Sequence, residues 1–190
     1  MRSLRARLAL LIVAAMVVAG CSSDDTTTKA TTTTAAKTTT TVPGQRTAGA
    51  TSLAQLAKDA TAVVIGTGGP SHEELVKNQP FTVTTVIIEE SLKGTAKAGG
   101  TVDVRQPGTD QIVVGDRPAV MGQGRRYLMY LQPATDASAP DQFMVVKLAG
   151  IWELDADGQA QRLDPVSTEL PTDVSATKLQ SEVADSIKGK

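Results

Sequence analysis

Few side chains in this sequence could do chemistry, and their spacing decides what each can do. Cys21 is the single cysteine of the 190 residues. It can form no internal disulfide, and its thiol is a lone nucleophile open to oxidation or alkylation. His72 is the single histidine and stands in Ser71-His72-Glu73-Glu74, where an imidazole beside carboxylates offers the donor types of a metal site. A zinc site needs three or four ligands closing on one point, and neighbours in a polar loop do not supply that. A solvated histidine is the expected state. Asp155-Ala156-Asp157-Gly158 opens like a calcium loop, but the glycine and glutamate such a loop needs at its sixth and twelfth positions are here Ala160 and Val166. A hairpin turn is expected instead.

Nucleophilic and phosphate-binding patterns are equally incomplete. Ser175-Ala176-Thr177-Lys178 has the S-x-x-K spacing of penicillin-recognising serine enzymes but lacks the companion S-D-N and K-T-G elements, so it is expected to start a helix. Gly66-Thr67-Gly68-Gly69 follows an apolar run and is closed off by Pro70, which predicts a turn and not a phosphate cradle. Gly122-Gln123-Gly124 precedes Arg125 and Arg126; this could hold an anion, although a glycine-rich approach to a strand is the commoner use. No Gly-x-Ser-x-Gly elbow occurs, and His72 alone would have to serve any triad. No catalytic residue, metal ligand or cofactor is therefore assigned, and the expectation is that the protein is not an enzyme.

The N-terminal third carries address information. Arg2, Arg5 and Arg7 precede an apolar run at residues 8–19, and Val18-Ala19-Gly20 lead directly into Cys21. A basic start, an apolar stretch and small residues at a cleavage point read as an export signal outside the fold. The run is short of the ~20 residues a membrane-spanning helix needs. Val18-Ala19-Gly20-Cys21 resembles the lipobox of bacterial lipoproteins. The resemblance implies removal of residues 1–20, a diacylglyceryl thioether and palmitate-class acyl chains on Cys21, and a place on the exported side of a bacterial cell membrane. Two or more acyl chains make such an anchor stable. Residues 22–42 are mostly threonine, and Val42 is the first large apolar residue after the cysteine. Residues 21–50 are thus expected to form a lipidated, disordered tether. Fully extended, it would reach roughly 95 Å at ~3.3 Å per residue.

Residues 51–190 are enough for one domain. Without the three arginines of the signal, 16 Lys and Arg face 20 Asp and Glu, a net charge of 16 minus 20, or minus 4. That balance argues against nucleic acid and anionic headgroups as partners. Ser52 and Gln55 have capping-box spacing, with Leu53, Leu56, Ala57 and Ala60 on one face, so a short helix is predicted. A buried strand is expected over 62–65, stopped by Gly66, Gly68, Gly69 and Pro70. A longer one is expected over 81–90, with Phe81 and Val83 sharing a face and Val86, Ile87 and Ile88 loading both faces afterwards, either because that half is covered on both sides or because a bulge near Thr84 and Thr85 shifts the phase. Further strands are expected at 101–105, valines inward and polar residues outward, at 127–131, 143–148 and 151–154 with a bend at Ala149-Gly150, and at 159–163. Leu179, Val183 and Ile187 mark one side of a C-terminal helix packed on the sheet.

This pattern predicts a mainly β fold: a small closed or nearly closed antiparallel β-barrel in preference to a sandwich, with a short N-terminal helix and a C-terminal helix. The series Ala62-Val63-Val64-Ile65-Gly66, Ser91-Leu92-Lys93-Gly94, Val102-Asp103-Val104 and Gly124-Arg125-Arg126-Tyr127-Leu128 resembles the strand layout of netrin-like and tissue-inhibitor-like OB-fold domains, which implies a small antiparallel OB-like β-barrel. It also resembles uncharacterised bacterial lipoproteins of that layout, over residues 50–165. The eukaryotic netrin-like domains carry disulfides and an N-terminal cysteine used to inhibit metalloproteases. Cys21 stands far from the barrel, so that mechanism is not carried over. The expected role is a membrane-anchored envelope lipoprotein acting as a binding or assembly module for a wall glycan, a small ligand or an envelope protein. A sensor or inhibitor of an envelope enzyme is the alternative, and a hydrolase ranks last.

Replacing Cys21 by Ser is expected to leave the chain uncleaved and without label when cells are fed a clickable fatty acid. Equal labelling of the Cys21→Ser chain would contradict the lipid anchor.

Overall fold

The computed structural model describes residues 40–42, 50, 52–114, 119–135, 141–164 and 169–188. Cys21, the signal 1–20 and the rest of the tether lie outside these. The strands are β1 Thr40–Val42, β2 Ala62–Val76, β3 Gln79–Lys93, β4 Thr101–Pro107, β5 Ile112–Val114, β6 Arg126–Pro133, β7 Gln142–Val145, β8 Ile151–Leu154, β9 Gln159–Arg162 and β10 Asp173–Ser175; the helices are α1 Leu53–Asp59 and α2 Ala176–Lys188. Eight strands form one sheet in the order β10-β9-β8-β6-β2-β3-β4-β7, and β7 pairs in addition with β6. Every pairing in this sheet is antiparallel except β4 with β7. The fold is therefore mainly β with a short N-side helix and a C-terminal helix. At residues 40–42 the tether expected to lack structure instead pairs in parallel with β5; its Thr-Thr-Val sequence suits a strand.

α1 forms where the capping residues place it. Ser52 Oγ accepts from the Gln55 amide at 3.1 Å, satisfying one of the donors a helix start leaves open. At the other end Lys93 Nζ of β3 donates to the carbonyls of Ala57 and Ala60 at 2.6 and 2.5 Å, placing a cation on the negative end of the helix. Asp59 accepts from Gln55 Nε2 at 2.6 Å and pairs with Lys147 at 3.0 Å. These two partners, the Gln55 hydrogen bond foremost, hold its carboxyl below the usual range despite a smaller opposing effect of burial.

β2 departs most from expectation. It continues through Gly66, Gly68, Gly69 and Pro70 to Val76, because these glycines admit neighbouring backbone and do not end the strand. A Cβ on Gly66 would lie 2.5 Å from the Ile87 carbonyl oxygen, and one on Gly68 2.6 Å from that of Gly122. The segment expected as a polar loop around His72 is thus the rising strand of a long hairpin, turned by Lys77 and Asn78 in left-handed conformation. The phase shift expected near Thr84 and Thr85 lies across from them: Gly68 pairs with Val86 but Ser71 with Thr84, so the extra residue is on β2. As a result β3 is buried on both faces over 81–84 and alternates afterwards, with Val86 and Ile88 buried and Ile87 half exposed. That reverses the expected order.

β2 and β6 divide the interior in two. Val63 and Ile65 of β2 join Leu128 and Tyr130 of β6, Trp152, and Leu56, Leu179 and Val183 of the helices in one cluster. Val64, Met129 and Leu131 join Val86, Ile88, Val104 and Ile151 in the other. β7 stops at Val145, short of the expected 148, because Lys147 and Leu148 adopt positive φ and turn the chain into β8. The Asp155 turn forms as expected, with Asp155 Oδ1 accepting from the amides of Asp157 and Gln159 at 2.9 and 2.7 Å. On α2, Leu179 and Val183 are buried but Ile187 is 44% exposed, so the stripe packs over its first two members only. α2 meets α1 as well as β3 and β10.

Val183→Asp is expected to destabilise the domain by about 3 kcal/mol or more, since it places an unpaired charge among apolar groups, whereas Ile187→Asp should cost within about 0.5 kcal/mol. Chemical denaturation of both variants checks this, and equal losses would contradict the assigned face of α2.

Candidate functional site

Strand alternation sends Ala62 and Val64 of β2, Ile88 of β3, Val102 of β4 and Leu131 of β6 toward one space, and Phe143 of β7 borders it too. They line a cavity of about 390 Å³, at the lower end of the range for small-molecule sites. Beneath these residues Val86, Val104 and Met129, each with no exposed surface, fill the interior. The site is therefore a cup at one end of the strands and not a channel through them. Thr61, Thr101 and Pro133 border the mouth with Thr95, Ala96, Lys97 and Gly100 of the β3–β4 connection. Thr61 Oγ1 is already engaged, donating to the Leu131 carbonyl at 3.2 Å.

The β3–β4 connection is built as a fixed lip. Gly100 N donates to the Lys97 carbonyl at 3.0 Å, Gly99 N to the Ile88 carbonyl at 2.8 Å, and Ile88 N to the Gly100 carbonyl at 2.9 Å. Gly99 has a φ of 80°, a conformation that side-chain-bearing residues rarely adopt. The lip is thereby laced to the strand that supplies Ile88. Lys97 is the one charged residue of the lining, and among the described residues it pairs with no carboxylate. Chemically, the cup offers apolar walls, hydroxyls and one cation at the rim.

A second polar group, on the long hairpin, is structural. Arg105 of β4 was expected to face outward with the polar residues of its strand, but it is 2% exposed. Its Nε lies 2.5 Å from Glu74 Oε1, and its guanidinium carbon 5.6 Å from the centre of the Phe81 ring. The carboxylate and the ring take the place of solvent, which makes burial of the charge tolerable. The adjoining Gln106, also buried, donates to the Ala119 carbonyl at 3.1 Å and accepts from the Met121 amide at 2.9 Å. Gln106 thus fastens residues 119 and 121, ahead of β6, to the sheet, and Arg105 fastens the β2–β3 hairpin to β4.

The remaining sequence candidates do not converge. His72 lies exposed on β2, and no group of three His, Cys, Asp or Glu suited to a metal occurs among the described residues. Arg125 and Arg126, considered for an anion, each face a carboxylate: Arg125 pairs with Glu153, and Arg126 Nε with Glu89 at 2.6 Å. Glu89 also accepts from Thr67 Oγ1 at 2.6 Å. That hydrogen bond first, and Arg126 with it, hold the Glu89 carboxyl below its ordinary range. Ser175 Oγ accepts from the Lys178 amide at 3.3 Å and so acts at the start of α2. Cys21 lies outside the described residues.

Sequence reasoning missed the cup. Its walls come from residues of five strands that lie far apart in the sequence, from Ala62 to Phe143, and Ala62, Val64, Val102 and Leu131 carry no motif. The signal that was present is the apolar alternation of β4 and the two-sided apolar character of β2 and β6, which shows that an inner face exists but not that it is open at one end. The chain matches no family model and none of the curated proteins with which it was compared.

Proposed function

We propose that the protein is a lipid-anchored binding module of a bacterial cell envelope, held to the exported face of the membrane through Cys21, and that it carries out no reaction of its own. Its working part is an OB-like barrel of β2, β3, β4, β6 and β7. What supports the barrel is the circuit of pairings: β2 with β3, β3 with β4, β4 with β7, β7 with β6, and β6 back to β2. Numbered along the chain these five strands follow the order 1-2-3-5-4 around the ring, with one parallel contact. OB-like barrels are frequent carriers of ligands.

The observation that carries the reading is the cup itself, to which each of the five strands contributes a lining residue. Mouths of β-barrels are among the usual places for small ligands. Of the ligand classes considered from sequence, a small apolar molecule fits this space best. A wall glycan would bring hydroxyls against Ala62, Val64, Ile88, Val102, Leu131 and Phe143, none of which has a side-chain hydrogen-bonding group to offer, and that desolvation would go uncompensated.

A solvatochromic apolar dye is expected to bind the protein with a blue-shifted emission. Val102→Phe, which adds volume to a half-buried wall residue, should weaken that binding about tenfold, the equivalent of roughly 1.4 kcal/mol, while the melting temperature stays within a few degrees. Undiminished dye binding by the variant would remove the cup from the account.

A further inference from the structure

From the chemistry of the rim we infer that the ligand of the cup is a free, single-chain carboxylate, an alkyl monoanion whose tail enters the apolar walls and whose head meets Lys97. The inference rests on the binding reading above and narrows it to a ligand class. Below the rim the lining side chains are apolar, and Lys97 supplies the lining's only formal charge. An alkyl chain satisfies the walls because it brings no polar group that would need a partner. Its head must then stay at the mouth, and the group waiting there is a cation beside the hydroxyls of Thr95 and Thr101.

The backbone that carries this lysine is held in place, while its exposed ammonium keeps the reach of a flexible stem. The turn from Lys97 to Gly100 is closed on itself and laced to Ile88, a wall residue of the same cup. Head and tail recognition therefore share one backbone unit, which lowers the ordering cost of binding.

The charge count selects a monoanion. A single lysine compensates one negative charge, and a phosphate dianion would keep an excess charge against a domain that is itself net negative, with 13 basic residues against 18 acidic ones over 51–190. The size selects one chain. A cavity of about 390 Å³ is at the small end for ligand sites and has no room to enclose both chains of a phospholipid, which favours a free acid of medium length.

Isothermal titration of the full chain carrying Cys21→Ser, so that no attached acyl chain competes, tests this with decanoate and 1-decanol as probes. Decanoate is expected to bind roughly fivefold more tightly than decanol, the effect of one partly exposed charge pair. Lys97→Gln should bring the two affinities together, and Lys97→Arg should keep them apart. Equal affinities for both probes in the unaltered Lys97 protein would overturn the carboxylate inference while leaving the apolar cup standing. Failure of both probes to bind would overturn the binding reading as well. Displacement of decanoate by phosphatidylglycerol vesicles as effectively as by free decanoate would also overturn the inference, since it would make bilayer lipid the ligand.

Discussion

β2 and β6 are hydrogen-bonded in one unbroken register from Ala62 opposite Leu131 to Thr67 opposite Arg126, and both are buried on two sides. Because side chains alternate along a strand, this ladder sorts its residues into two layers. Val63, Ile65, Leu128 and Tyr130 support the helices, while Val64, Met129 and Leu131 face the opposite interior. Each such side chain contributes roughly 1.5–3 kcal/mol by leaving water. A slip of one residue would exchange the layers and put every one of them in the wrong surroundings. Helix packing and the cup therefore depend on the same register, seen from its two faces.

The other devices in the fold protect that register. Lys93 ties the end of α1 to β3, and Asp59 ties it to Lys147 in the turn before β8. Arg162 of β9 donates to the carbonyls of Asp164 and Leu170 at 3.0 and 2.8 Å and lies over the Trp152 ring at 6.0 Å, so Asp164 and Leu170 are fastened to the helix-side core. In the same core the Tyr130 hydroxyl and Trp152 Nε1 are buried without a hydrogen-bonding partner. Burial pushes the Tyr130 phenol up, with the nearby Glu182 adding to the effect. These two donors belong to the layer under the helices, away from the residues of the cup.

Local chemistry was legible in the sequence, and distant approach was not. The Ser52 cap, the Asp155 turn, the two-sided β6 and the buried pair Leu179 and Val183 follow from spacing over a few residues. Gly66 and Gly68 were misread because a glycine that ends a strand and one that lets a neighbouring backbone come close look alike in one dimension. Arg105 looked like an outward polar residue because its partners, Glu74 and Phe81, come from the far hairpin. Ile187 continued an apolar spacing to a point where its neighbours, the end of β3 among them, leave it 44% exposed. For the cup, sequence alone supplied apolar faces, but the lip that puts Lys97 beside Ile88 is made by backbone hydrogen bonds that no side-chain pattern encodes.

The central claim is that the interior on the face of β2 and β6 turned away from the helices receives a ligand. Methyl chemical shifts of the protein during titration with decanoate address it most directly, since they locate the ligand without assuming its site. The account predicts saturable changes at Ala62, Val64, Ile88, Val102 and Leu131, with Leu56, Leu179 and Val183 of the helix-side core unmoved. Changes centred on those helix-side residues, or on Leu75 of the exposed hairpin, with the cup methyls unmoved, would contradict it.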